Sequence, residues 1–138
     1  MLTLIIAGSV FFAAAAARWY LNRTSRSDTV WGKGHVELTA VWNEAAAFSL
    51  RIPKPFLWVL SALALLWAWR ERKRGSISAG LVLGGGCANL HERLRHKRVY
   101  DYVRFPKAPG RLKGFVWNLA DFAILAGALG LLFSRKKK

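Results

Sequence analysis

The stretch GFVWNLADFAILAGALGLLF, residues 114–133, decides the fold. It has the length and apolar content of a membrane-spanning helix, for which about 20 apolar residues suffice. Asp121 is set into it, with Asn118 three residues before. A carboxylate at the bilayer centre costs roughly 3 kcal/mol on insertion scales. Residues three apart on a helix share a face. Asn118 and Asp121 are therefore expected to point into a bundle and meet a partner there. With the helix taken from Phe115, Asp121 is the seventh residue, roughly 9 Å in at 1.5 Å per residue.

Three further apolar blocks precede it. Leu2–Leu21 has spanning length. Its Ala-rich end before Arg18 resembles a signal-peptide cleavage site, but no Lys or Arg precedes the apolar run. It is read as a retained span, with cleavage the alternative. Pro55–Trp69 is short, and Arg51, Lys54 and Arg70 can snorkel while Trp58, Trp67 and Trp69 suit the interfaces. Ile77–Leu90 continues as helix through Arg93 and carries Gly84, Gly85 and Gly86, which suit close helix packing or close approach of a substrate. Between the first two blocks, HVELTAVWN alternates, with Val36, Leu38, Ala40 and Trp42 on one side, as a short strand would. The expected fold is thus an all-α membrane protein of one integral domain, residues 1–138. Its spans are near 2–21, 53–70, 77–93 and 115–133, with a small extended element in the first connection.

The chain carries 22 Lys+Arg against 7 Asp+Glu, a net charge of +15. In a soluble protein that would suggest nucleic acid. Here the basic residues lie between and after apolar blocks, as in a membrane protein flanked by anionic headgroups, so membrane lipids and not nucleic acid are the expected partners. Charge density in the 70–76 loop and in Arg135–Lys138 places both termini in the cytoplasm. Cys87 is the one cysteine, expected as a small buried filler. His35, His91 and His96 show no metal-ligand spacing and read as loop or interface residues; no metal or cofactor is implied.

An even number of spans gathers the unusual polar residues at one end of the bundle. Asn43 precedes the second span, and Asn89, Glu92 and Arg93 end the third. Asp101 follows in the next connection, and Asn118 and Asp121 open the fourth span. Asp101 is the candidate partner of Asp121, because two carboxylates in a low-dielectric site can hold one proton between them and divide acid and base roles. The alternatives are a solvated Asp101 in a loop and an Asp121 that pairs with Arg93 to settle a helix contact.

These residues resemble a known family. GGGCANLHERLRHKRVYDY and FVWNLADFAI are similar to the motifs of lipoprotein signal peptidases: Gly-Gly…Asn-x-x-Asp-Arg, a Val-x-Asp-Phe-like motif and Asn-x-Ala-Asp. They fall on Gly84, Gly85, Asn89, Glu92 and Arg93; on Val99 and Asp101; and on Asn118, Ala120 and Asp121. Asn43, Ala46, Ala47 and Phe48 resemble the family's Asn-x-Gly-Ala-Ala-Phe segment. The resemblance covers residues 36–133. It implies a bacterial inner-membrane aspartic endopeptidase, with Asp101 and Asp121 catalytic and Asn43, Asn89, Glu92, Arg93 and Asn118 lining the site. The implied substrate is a lipidated prolipoprotein, cut before its modified cysteine on the outer side of the membrane by a monomeric enzyme. Departures bear on turnover and substrate choice. Glu92 stands for the motif's aspartate, Ala45 and Ala88 stand for glycines, and the end of the first span, AAAAARWYLN, lacks an acid. A weakly active homologue that binds lipidated peptide, or a non-enzymatic basic protein on anionic lipid, are the competing readings.

Overall fold

The computed structural model describes residues 1–24, 29–44, 52–74 and 76–134. Among the described residues there are four α-helices, a four-stranded antiparallel sheet and two short 3-10 turns. The helices are α1 (Leu2–Thr24), α2 (Lys54–Glu71), α3 (Ser76–His96) and α4 (Leu119–Ser134). The strands are β1 (Val30–Trp31), β2 (Val36–Asn43), β3 (Val99–Arg104) and β4 (Val116–Trp117), paired in sequence order. The chain is mostly helical as expected, and the small extended element expected in the first connection belongs to a larger sheet. The connection between α3 and α4 supplies β3, whose VYDYVR run is rich in β-branched and aromatic residues, and β3 pairs with β2 of the first connection. The fourth helix also starts later than expected, at Leu119, because residues 116–117 pair with β3. Ala45–Phe48, Arg51 and Arg135–Lys138 lie outside the described residues.

Among the described residues, α1 is the helix both long and apolar enough to cross a bilayer, and α4 is a shorter apolar helix. Pro55 sits in the first turn of α2, where its missing N–H costs nothing. At the end of α3, Lys97 takes a left-handed φ of 61° and its N–H donates to the Arg93 carbonyl at 2.9 Å. That tight exit lets β3 begin at Val99.

Helix α3 is the hub, packed against α1, α2 and α4. Its glycines face different neighbours. A Cβ on Gly84 would meet the Ala7 carbonyl at 2.5 Å, and one on Gly85 would meet the Ala120 carbonyl at 2.5 Å. Both positions hold helix backbones in contact. Gly86 differs, for its Cβ would meet the end of Leu65 at 2.8 Å and it lines the cavity described below. Cys87 is exposed on α3, not a buried filler, because the buried face of this helix is taken by Gly84, Gly85, Ala88 and Asn89.

The sheet lies over one end of α1. Leu38, Tyr100 and Tyr102 form a buried cluster with Ala17 and Leu21 of that helix. In β2 the expected alternation is broken by a bulge. Leu38 pairs with Val103 and Val41 with Asp101, so β2 spends three steps where β3 spends two. The extra residue shifts the phase of the strand and sets Val41 and Asn43 on the same face as Asp101. Glu37 and Arg104, directly opposite, form an ion pair at 2.6 Å.

Gly85→Ala should therefore lower stability by about 1–3 kcal/mol, since the new methyl meets a backbone carbonyl that cannot move alone. Gly86→Ala should cost clearly less, since a leucine terminus can rotate away. Thermal unfolding in one detergent, compared for both variants, checks the order.

Candidate active site

Asn118 is the residue immediately before α4. Its N–H donates to Asp121 Oδ2 at 3.0 Å, and its Oδ1 accepts the N–H of Asp121 at 2.9 Å. This is a reciprocal capping box, in which a side chain before the helix and one three residues on satisfy each other's amides. The cap corrects the expected depth. Asp121 is in the first helical turn, not seven residues into a span, because the helix cannot extend upstream of its own cap.

The same Asn118 faces the sheet. Its Nδ2 donates to Asp101 Oδ1 at 2.8 Å and to Asn89 Oδ1 at 3.1 Å. Asn89 in turn donates to Asp121 Oδ1 at 2.9 Å, and Asn43 donates to Asp101 Oδ2 at 3.0 Å. Every oxygen of the two aspartates thus accepts from an asparagine, and Asn118 bridges the pair. Asp101 is 4% exposed and Asn118 5%. Asp101 lies in a strand, so its reading as a solvated loop charge fails.

Asn43, Asn89, Arg93, Asp101 and Asp121 line one cavity of about 1320 Å³, which extends between α2 and α4 over apolar residues such as Leu57, Leu65 and Ile124. Of the residues singled out from the sequence, Glu92 stands apart. Its Oε1 lies 3.3 Å from Arg18 Nε of α1, an electrostatic contact and not an aligned hydrogen bond, and its Oε2 accepts the Tyr100 N–H at 2.9 Å. It is buried at the sheet side of α3 and does not line the cavity. Arg18 and Tyr102 were not singled out from the sequence. Arg18, a lone cation near the end of an apolar block, was the available signal for a partner to Glu92. Tyr102 carried none. Aromatic rings brace the neighbourhood: Trp117 stacks on Phe122, and Trp42 lies between Tyr100 and the Arg98 guanidinium.

Burial pushes the Asp101 carboxyl up from its ordinary 3.8 to about 6, despite the Asn43 and Asn118 hydrogen bonds and the Arg93 charge that hold it down. The nearby charge of Asp121 adds to the rise. A carboxyl poised near neutrality, beside a second one held by the same asparagine, can exchange protons with a substrate at working pH.

Comparison with known proteins agrees with this geometry. The family model for signal peptidase (SPase) II matches residues 3–135. The chain belongs to the signal peptidase II family. It is 36% identical over 120 residues to the lipoprotein signal peptidase of Syntrophomonas wolfei subsp. wolfei, covering 82% of this chain and 74% of that one. It is 29% identical over 146 aligned positions to the lipoprotein signal peptidase of Chlorobium luteolum, covering 96% and 87%. A bacterial membrane enzyme solved by the in meso method at 2.3 Å superposes with a TM-score of 0.81 over 98% of this chain and 87% of that one. At 17% identity that likeness establishes the fold. A signal peptidase II fold is thus present here with its polar cluster gathered at one end.

The raised Asp101 carboxyl has a thermodynamic consequence. Between pH 4 and 6 the folded protein holds a proton that the unfolded chain has lost, so this group's contribution makes stability fall as pH rises through that window. Asp101→Asn removes the term. Relative to the wild type, D101N should gain on the order of 2–3 kcal/mol between pH 4 and pH 7, read from unfolding in detergent across that range.

Proposed function

We propose that this chain is a membrane aspartic endopeptidase that removes signal peptides from diacylglyceryl-modified prolipoproteins, cutting on the N-terminal side of the lipidated cysteine. The observation that carries the proposal is the asparagine-bridged pair, Asp101 and Asp121, at the polar head of a cavity whose wall is largely apolar, in a signal peptidase II chain. The two aspartates act on a water molecule. The ionised one takes a proton from the water as it attacks the scissile carbonyl, and the neutral one protonates the carbonyl oxygen; as the tetrahedral intermediate collapses, the first passes the water's proton to the departing amine and the second takes its proton back from a hydroxyl of the intermediate. Asn43, Asn89 and Asn118 orient the carboxylates. Arg93 supplies positive charge beside them. Glu92 acts on the site only through the strand it holds.

The apolar wall between α2 and α4 suits the lipid and the apolar signal segment of such a substrate. All four helices span the bilayer in this reading. Large side chains turned away from the protein support it, with Phe12, Phe56 and Phe133 at 71, 65 and 64% exposure, which a water-facing surface would not favour. Both termini lie in the cytoplasm, and the site faces the outer side of the bacterial inner membrane. The enzyme works as a monomer with no cofactor.

Purified protein in detergent with a diacylglyceryl-modified prolipoprotein peptide tests the assignment. Asp121→Asn and Asp101→Asn should each lower cleavage about 10³-fold or more, the scale of lost general acid–base catalysis. The wild-type rate should fall on both sides of a pH optimum, with one limb within about a unit of pH 6. Cleavage at the wild-type rate by either variant would remove that aspartate from the mechanism.

A further inference from the structure

The ladder between β3 and β4 pairs Arg104 with Val116 and Val103 with Trp117. One more step would set Tyr102 opposite Asn118, but the chain leaves the strand there and starts α4. The opening amides of a helix have no carbonyl four residues back to bond. At α4 the Asp121 amide goes to the Asn118 side chain and the Phe122 amide to the Asn118 carbonyl. The Leu119 amide goes to the Tyr102 hydroxyl at 2.9 Å. Tyr102 is 6% exposed and packed in the cluster with Leu38 and Tyr100. Its hydroxyl therefore continues, by side chain, the strand-to-strand tie that the backbone gives up. The tie joins the residue after Asp101 to the residue two before Asp121.

Resting on the dyad reading above, we propose that Tyr102 is a positioning residue for the reaction, its hydroxyl fixing the first turn of α4, and so the Asp121 carboxylate, against Asp101. The bond adds a second link between the two acid-bearing elements, independent of Asn118. The role is geometric and not acid–base. Burial pushes the Tyr102 phenol up to about 12, so it stays protonated wherever the aspartates titrate. Without the hydroxyl, the Leu119 N–H at the helix start loses its protein partner, and the turn that carries Asp121 is free to shift. Misplacement of a catalytic group by about 1 Å can cost about a hundredfold in rate.

The test uses the full chain in detergent and the diacylglyceryl-modified prolipoprotein peptide, with Tyr102→Phe, Tyr100→Phe and Asp121→Asn beside the wild type. Tyr100→Phe is the control, removing a hydroxyl from the neighbouring ring in the same cluster. Y102F should lower kcat about ten- to a hundredfold, leave KM within about twofold and speed hydrogen exchange at the Leu119 amide. Y100F should change kcat less than about twofold. Wild-type kcat in Y102F, an equal loss in Y100F, or a loss confined to KM would overturn the proposal. So would a Leu119 amide that exchanges freely in the wild type, a readout that holds even if Y102F folds poorly. Wild-type cleavage that Asp121→Asn abolishes shows that the dyad reading stands, so the Y102F result then bears on Tyr102 alone. Failure of the wild type to cleave would remove the dyad reading and this inference together.

Discussion

The site depends on one side chain serving two masters. Asn118 must cap α4, because the first amides of a helix have no carbonyl four residues back to bond. It must also hold Asp101, because a buried carboxylate without donors is costly. Its Oδ1 and backbone N–H perform the first task, and its Nδ2 performs the second. Asparagine suits both, since its amide carries an acceptor and a donor on one short arm. Aspartate there would bring a third acceptor to two carboxylates. Alanine would leave the Asp121 amide and Asp101 Oδ1 each short of a partner.

That arrangement requires two elements to arrive at Asn118 from different directions. β3 brings Asp101 and α4 brings Asp121, and α3 passes close enough for Asn89 to touch Asp121 and Asn118. The close pass follows from the glycines. Gly85 lets α3 lie against the Ala120 carbonyl, one residue from Asp121, so the glycine packing and the chemistry are the same contact seen from two helices. The fourth donor, Asn43, reaches Asp101 from β2, and it does so because the bulge after Leu38 sets residues 41 and 43 on the Asp101 face. A regular strand in phase with Leu38 would have turned Asn43 away from the cavity.

Much of this was legible in the residues. Four apolar blocks gave the four helices, and their order alone gathered Asn43, Asn89, Asp101 and Asp121 at one end, where they do meet. The strand over 36–43 followed from alternation. What stayed hidden was long-range or local in ways that periodicity does not encode. Residues 99–104 read as part of a connection, because Arg98 precedes the strand, Arg104 ends it and six residues are too few to show a period against that background. The start of α4 was placed too early, because Phe115–Trp117 are apolar enough to pass for helix, and only pairing with β3 takes them out. Glu92 was placed at the site by its neighbours in sequence, but on a helix the residue before Arg93 points about 100° away from it, toward Arg18 and the sheet. The absent acid near the end of the first block also looks different in three dimensions. Ala14 is buried against Ala88 and Ala120, so an acid at that position would be set into an apolar helix contact and not into the cavity.

The buried acids differ in their donors. Glu92 holds a backbone N–H and faces the Arg18 guanidinium, a pairing that anchors β3 to α3 and α1. Asp101 and Asp121 accept instead from neutral amides. Neutral amides orient the Asp101 carboxylate, and burial outweighs their pull toward the charged form and carries it to about 6. In the proposed reaction a carboxyl must pass between protonated and ionised forms in each turnover, and the two states then have to lie within reach of each other at the working pH. The cluster of asparagines is thus a means of holding two acids in place while leaving their proton free to move.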